Sequence, residues 1–96
     1  MPGHPDLARV HAVVSGRVQG VGFRFTTVDQ ARRLGVCGWV RIRADGSVVV
    51  EAEGDRAAVE ALVRFLHRGP SGAWVQDVAI RWGAHAGDLA PFHATH

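Results

Sequence analysis

Residues 16–22 read Gly-Arg-Val-Gln-Gly-Val-Gly, three glycines in seven positions, and Phe23 and Arg24 follow at once. Glycine reaches backbone dihedrals closed to other residues and lets a ligand approach the main chain. A loop of this kind can turn several N–H groups toward one anion. If a helix starts where the loop ends, its free N–H groups and its dipole add to the attraction. Arg24 would then stand in the first helical turn, beside the anion. A guanidinium pairs with two phosphate oxygens at once and keeps its charge at any working pH. The chemistry these residues suit is capture of a phosphate-like anion. Two other phosphate loops are excluded. A Walker loop needs Gly-Lys-Ser/Thr, and no lysine or hydroxyl stands there. A dinucleotide fingerprint would need glycine at position 25, which is Phe25.

The elements that must hold this loop follow from periodicity. Val10, Ala12 and Val14 alternate with His11 and Val13, which predicts a strand from Arg9, ended by Ser15 and Gly16. Phe23, Thr27, Ala31 and Leu34 recur on one face, with Val28 beside them, and predict a helix over 23–34. Arg32 and Arg33 fall in its last turn, and Gly35 stops it. A second strand is predicted over 36–43. Asp45-Gly46 in the turn 44–47 is a hairpin signal, and a valine-rich third strand follows over 48–52. Asp55 is the expected N-cap of a second helix with the stripe Val59, Leu62, Val63 and Leu66, closed by Gly69-Pro70. Residues 74–82 alternate again as a fourth strand, and a short last strand is expected over 92–95. The order is β-α-β-β-α-β with a strand appended. This predicts an α+β fold, a ferredoxin-like α/β sandwich with a four-stranded antiparallel sheet and two helices on one face. Residues 1–7, with two prolines and a glycine, are expected to form a flexible tail, and 8–96 the domain.

Composition narrows the function. A chain of 96 residues is one domain, without room for separate cofactor and substrate domains. Hydrophobic residues at 47% and charged residues at 21% match an ordinary globular mix and argue against disorder. No apolar run is long enough to span a bilayer, and no signal peptide is visible. The one cysteine, Cys37, excludes an internal disulfide, so a cytoplasmic location is expected. Eleven basic residues, all arginine, face 9 acidic ones. A net charge of +2 suits one small anion better than a nucleic acid.

The same residues resemble a known family. SGRVQGVGFR, residues 15–24, looks like the acylphosphatase signature. Leu34-Gly35-Val36, Gly38-Trp39-Val40-Arg41 and Asp45-Gly46 resemble its second motif, and Glu53-Gly54 and Gly69-Pro70 fit as well. The resemblance implies hydrolysis of acyl phosphates with no metal, no cofactor and no phosphoenzyme. It implies that the loop residues Arg17, Val18, Gln19, Gly20, Val21 and Gly22 cradle the phosphate and that Arg24 binds it. Water attacks phosphorus in line with the acyl leaving group, positioned in the family by an asparagine directly after Gly-Trp-Val-Arg. Here that residue is Ile42. An amide offers water an acceptor and a donor; isoleucine offers neither. The change could be introduced; it could be natural, with turnover lost and binding kept; or another group, Arg41, Arg43 or Gln19, could order the water. Alternation puts Arg41 and Arg43 on the strand face opposite Ile42, which makes them poor substitutes. The alternative function is a phosphate- or anion-binding module without turnover. The expected partner is an acyl phosphate or a phosphate- or sulfate-like anion, with no nucleic acid and no membrane, bound by a monomer.

The remaining residues have plainer readings. Six histidines include His93 and His96, without the cysteine pair or carboxylate cluster of a metal site. Trp39, Trp74 and Trp82 could stack bases, as in RNA-binding domains of this architecture, but the first and third strands carry no aromatics, so packing on the sheet face or edge is the expected role. Cys37 reads as a small apolar strand residue, His11 as outward-facing, and Arg32-Arg33 as a solvated helix end.

Overall fold

The computed structural model describes residues 6–96; residues 1–5 of the expected tail lie outside the described residues. Strand β1 is Leu7–Arg17, starting inside the expected tail because Leu7 pairs with Asp55 and the Asp6 carbonyl accepts the Arg56 amide at 2.8 Å. Val10, Ala12 and Val14 are fully buried on one face, and His11 and Val13 half-buried on the other. The strand also runs past its expected end at Ser15. A register shift between Ser15 and Gly16 is absorbed as a bulge, and Arg17 still pairs with Trp74.

Helix α1 is Phe23–Leu34, and it buries Phe23, Thr27 and Ala31. Strands β2, Cys37–Ile42, and β3, Val48–Asp55, are joined by a turn that Asp45 organises. Its Oδ1 accepts the Ser47 amide at 2.9 Å and the Ser47 hydroxyl at 2.6 Å. Helix α2 is Arg56–Arg68, with Val59, Leu62, Val63, Phe65 and Leu66 buried. Asp55 holds the N-cap position, but its side chain makes no capping hydrogen bond, contrary to expectation. It is also the last residue of β3, and its backbone is fixed by that pairing. Strand β4 is Trp74–Gly83, and β5 is the two residues His93–Ala94.

The sheet order is β4-β1-β3-β2-β5. The first four strands are antiparallel, as expected; the appended β5 joins the same sheet, parallel to β2, and makes it five-stranded. Both helices pack on one face. The core between the layers holds Phe23 against Phe65, with ring centroids 6.2 Å apart, and the buried valines of β1 and β3.

β4 and β5 lie on opposite edges, so residues 84–92 must cross the sheet. Glu53, 2% exposed, anchors that crossing. It accepts the amides of Ala86 at 3.1 Å and Leu89 at 3.3 Å. Arg9 links the same group: it donates to Glu51 at 2.7 Å, to Asp88 at 2.8 Å and to Glu53 at 3.4 Å. At the far side Phe92 is buried, and its carbonyl accepts Arg32 Nε at 3.0 Å. Arg32 is therefore bonded to the chain terminus and is not a purely solvated helix end.

Candidate active site

The glycine-rich loop connects the end of β1 to the start of α1, and it is tied at both ends. Val18, 1% exposed, is driven into the core by its apolar side chain and fixes the loop's entry. Gly20 and Gly22 take left-handed backbone with φ 73° and 72°, which turns the chain sharply into the helix. Gly22 is the N-cap of α1, and it has no side chain to cap with. No acidic residue stands in the first turn. The first intrahelical bond runs from the Thr26 amide to the Gly22 carbonyl at 3.0 Å. The amides of Phe23, Arg24 and Phe25 precede it and have no intrahelical acceptor. The helix head therefore carries uncompensated positive potential.

Around this head lies a concavity of about 200 Å³, lined by Val18, Gly20, Gly22, Phe23, Arg24, Phe25 and Ile42. Arg24 is half-buried there and forms no ion pair among the described residues. Its charge is available to a guest. Ile42, the last residue of β2, packs partly against the core and lines the same cup.

The residues expected from the sequence divide into two groups. Val18, Gly20, Gly22, Arg24 and Ile42 come together in the one cup. Arg17, Gln19 and Val21 are not among its lining residues. Arg17 is exposed at the end of β1, opposite Trp74. Gln19 lies against the β2–β3 turn, close enough for its Oε1 to stand 3.3 Å from a Cβ built on Gly46. Val21 packs partly against the core. Arg41 stacks its guanidinium over Trp39 at 5.6 Å on the face of the sheet away from the helices, so it does not reach the cup wall that Ile42 forms. Arg43 is exposed beyond the end of β2.

Two residues escaped the sequence reading of the site. Phe25 lines the cup while 77% exposed, and buried Phe23 forms its floor. Phe25 falls off the apolar face of α1, and that was the available signal: a large apolar residue where the helix pattern calls for a polar one. His11 bonds to Glu51 at 2.7 Å on the outer sheet face. Trp74 and Trp82 sit at the two ends of edge strand β4. Trp39, Arg41, His93, Thr95 and His96 border an open recess, but no three metal-binding side chains converge among the described residues.

Comparison with known proteins adds an independent line. The sequence model of the acylphosphatase family matches residues 10–94. A protein of Anaeromyxobacter sp. (strain Fw109-5) named acylphosphatase is 63% identical over 91 residues, which is 95% of this chain and 98% of the relative. The crystal structure of acylphosphatase from Bacillus subtilis superposes with a TM-score of 0.88 at 30% identity, covering 93% of this chain and 99% of that one. An acylphosphatase structure from Coxiella burnetii gives 0.87 at 32% identity, over 94% of each chain.

Proposed function

The chain belongs to the acylphosphatase family, and on that premise we propose that the cup at the head of α1 holds the phosphate of its substrate. The protein hydrolyses acyl phosphates to a carboxylate and inorganic phosphate. One observation carries the placement: the single guanidinium in the cup, that of Arg24, has no carboxylate partner among the described residues and stands beside an uncapped helix N-terminus.

Arg24 pairs with two non-bridging phosphate oxygens, and the loop and helix amides take the third. This charge is fixed before substrate arrives, so no reorganisation is needed as charge spreads over the phosphoryl group in the transition state. Water attacks phosphorus opposite the acyl oxygen. The new P–O bond forms as the bond to the acyl oxygen breaks, and the carboxylate departs with that electron pair. The proton of the attacking water ends on a phosphate oxygen.

Water placement is the weak step. Ile42 presents only methyl and methylene groups at the wall where the family's asparagine would hold the nucleophile. Arg41, Arg43 and Gln19 are turned elsewhere. Phosphate capture is therefore intact and turnover slow. The test is the rate of benzoyl phosphate hydrolysis before and after Ile42→Asn. The substitution raises kcat by about a hundredfold, the usual effect of one positioned hydrogen-bonding group. A native rate already fast and unmoved by the change would refute this account of Ile42. The setting we propose is the cytoplasm, on the ground of the lone Cys37; no helix among the described residues is long and apolar enough to cross a membrane.

A further inference from the structure

An acyl phosphate has two ends, and the cup's one charged side chain serves only one of them. Once Arg24 engages the phosphate, the other side chains of the lining are Val18, Phe23, Phe25 and Ile42, all apolar. The acyl carbon is joined to phosphorus through a single oxygen, so the acyl substituent must emerge within this same lining. No side chain there can pair with an ammonium, a carboxylate or an amide on that substituent. Val18 and Phe23 are buried and form the floor, whereas Phe25 is 77% exposed and Ile42 half-buried. An isolated exposed phenylalanine needs no explanation. This one lines the proposed phosphate cup, and the cup's other uncharged side chains, Val18, Phe23 and Ile42, are apolar as well.

We propose that Phe25 and Ile42 form an acyl subsite that favours acyl phosphates with an aromatic or branched apolar acyl group. The inference rests on the phosphate-cup reading given above and extends it to the other half of the substrate. Position 42 then has two consequences. The isoleucine that fails to hold water also supplies apolar surface for the acyl group. A second recess, lined by Phe25, Val28, Asp29, Arg32 and Ala94, shares the Phe25 side chain with the cup. An aromatic acyl group leaving the cup thus finds the Phe25 ring before it reaches water. Desolvating an apolar substituent against such a wall discriminates by roughly tenfold per group of this size, whereas a small or polar acyl group gains nothing.

Acyl phosphonates test this without turnover, because a carbon–phosphorus bond replaces the labile bridge. Calorimetry on the whole protein would compare inorganic phosphate, acetylphosphonate and benzoylphosphonate. Benzoylphosphonate is expected to bind about tenfold more tightly than acetylphosphonate. Phe25→Ser should reduce that ratio to about twofold; comparing two acyl compounds in the same variant cancels any change in the phosphate cup they share, and the ring is exposed, so its loss opens no cavity. Ile42→Asn should lower the ratio as well. Phosphate binding with no preference for the benzoyl compound would overturn the subsite and leave the cup standing. A preference that survives Phe25→Ser would also overturn it. Failure of phosphate itself to bind would overturn the cup, and the subsite with it.

Discussion

Arg24 and Arg17 carry the same charge and flank the same loop, yet their surroundings differ. Arg24 lies half-buried in the cup, next to helix amides that lack acceptors. Arg17 is exposed at the end of β1, where solvent and salt screen it. Arg24→Ala should therefore weaken inorganic phosphate by about tenfold or more, the value of a hydrogen bond to a charged group at about 1.5–3 kcal/mol. Arg17→Ala should change it less than threefold, through long-range attraction alone. A phosphate titration of both variants decides; equal losses would refute the ranking. At this scale the sequence was informative where a residue's place depends on its near neighbours. Arg24 was legible because the helix period puts it one position past the first helical residue. Phe25 and Glu53 were not. Their roles come from what the fold sets beside them: Ile42 across the cup in one case, the crossing segment 84–92 in the other.

The element that makes the site is the β1–loop–α1 unit, and its hinge is a pair of left-handed glycines. At Gly22 a built Cβ meets nothing within 4 Å, so an added methyl group would not clash with the protein. The cost of Gly22→Ala is then the backbone alone, about 1 kcal/mol for a non-glycine residue held at positive φ. The methyl would also stand at the cup, where the phosphate must approach. We expect the unfolding free energy from urea melts to fall by that amount, with a correspondingly lower midpoint, and a phosphate affinity reduced several-fold. An unchanged midpoint would mean that the loop relaxes out of its left-handed turn and that the glycine geometry is not what shapes the cup. The helix itself was legible to the residue, Phe23–Leu34, because an apolar period of 3.6 lies between two glycines. Strand ends were less so. β1 runs on to Arg17 because β4 continues beside it through a bulge, and β5 shrinks to two residues because Phe92 turns into the core. Both outcomes depend on partners more than 50 residues away in the chain, which local pattern does not report.

Across the whole molecule, the segment that crosses the sheet is tied down at a buried carboxylate. The chain leaves β4 at one edge, crosses the sheet and docks β5 on the other edge, and Glu53 is the buried post for that crossing. Burial by itself would push the Glu53 carboxyl up. The amides of Ala86, Gly87 and Leu89, with His85 nearby, outweigh it, so its pKa lies below the ordinary value of 4.5. The sign of the linkage follows. A depressed folded pKa stabilises the protein above the unfolded value, and that contribution is lost as pH falls through the folded one. Stability should thus be level near neutrality and decline once pH drops below 4.5. Glu53→Gln keeps the size but removes the charge, and its amide NH2 would face the Ala86 or Leu89 amide, donor against donor. It should cost about 2–3 kcal/mol at neutral pH. It should also flatten the acid limb, because the group that titrates is gone. Urea melts of both proteins from neutral pH down to about pH 3 measure the two effects together, and the difference cancels carboxylates outside this network, such as Asp45. If the two curves ran parallel throughout that range, the charge on Glu53 would not be what fastens the crossing. If they converge as the carboxylate is protonated, that ionised group helps to fasten the crossing, and with it the seat of β5 beside the strand that carries Ile42.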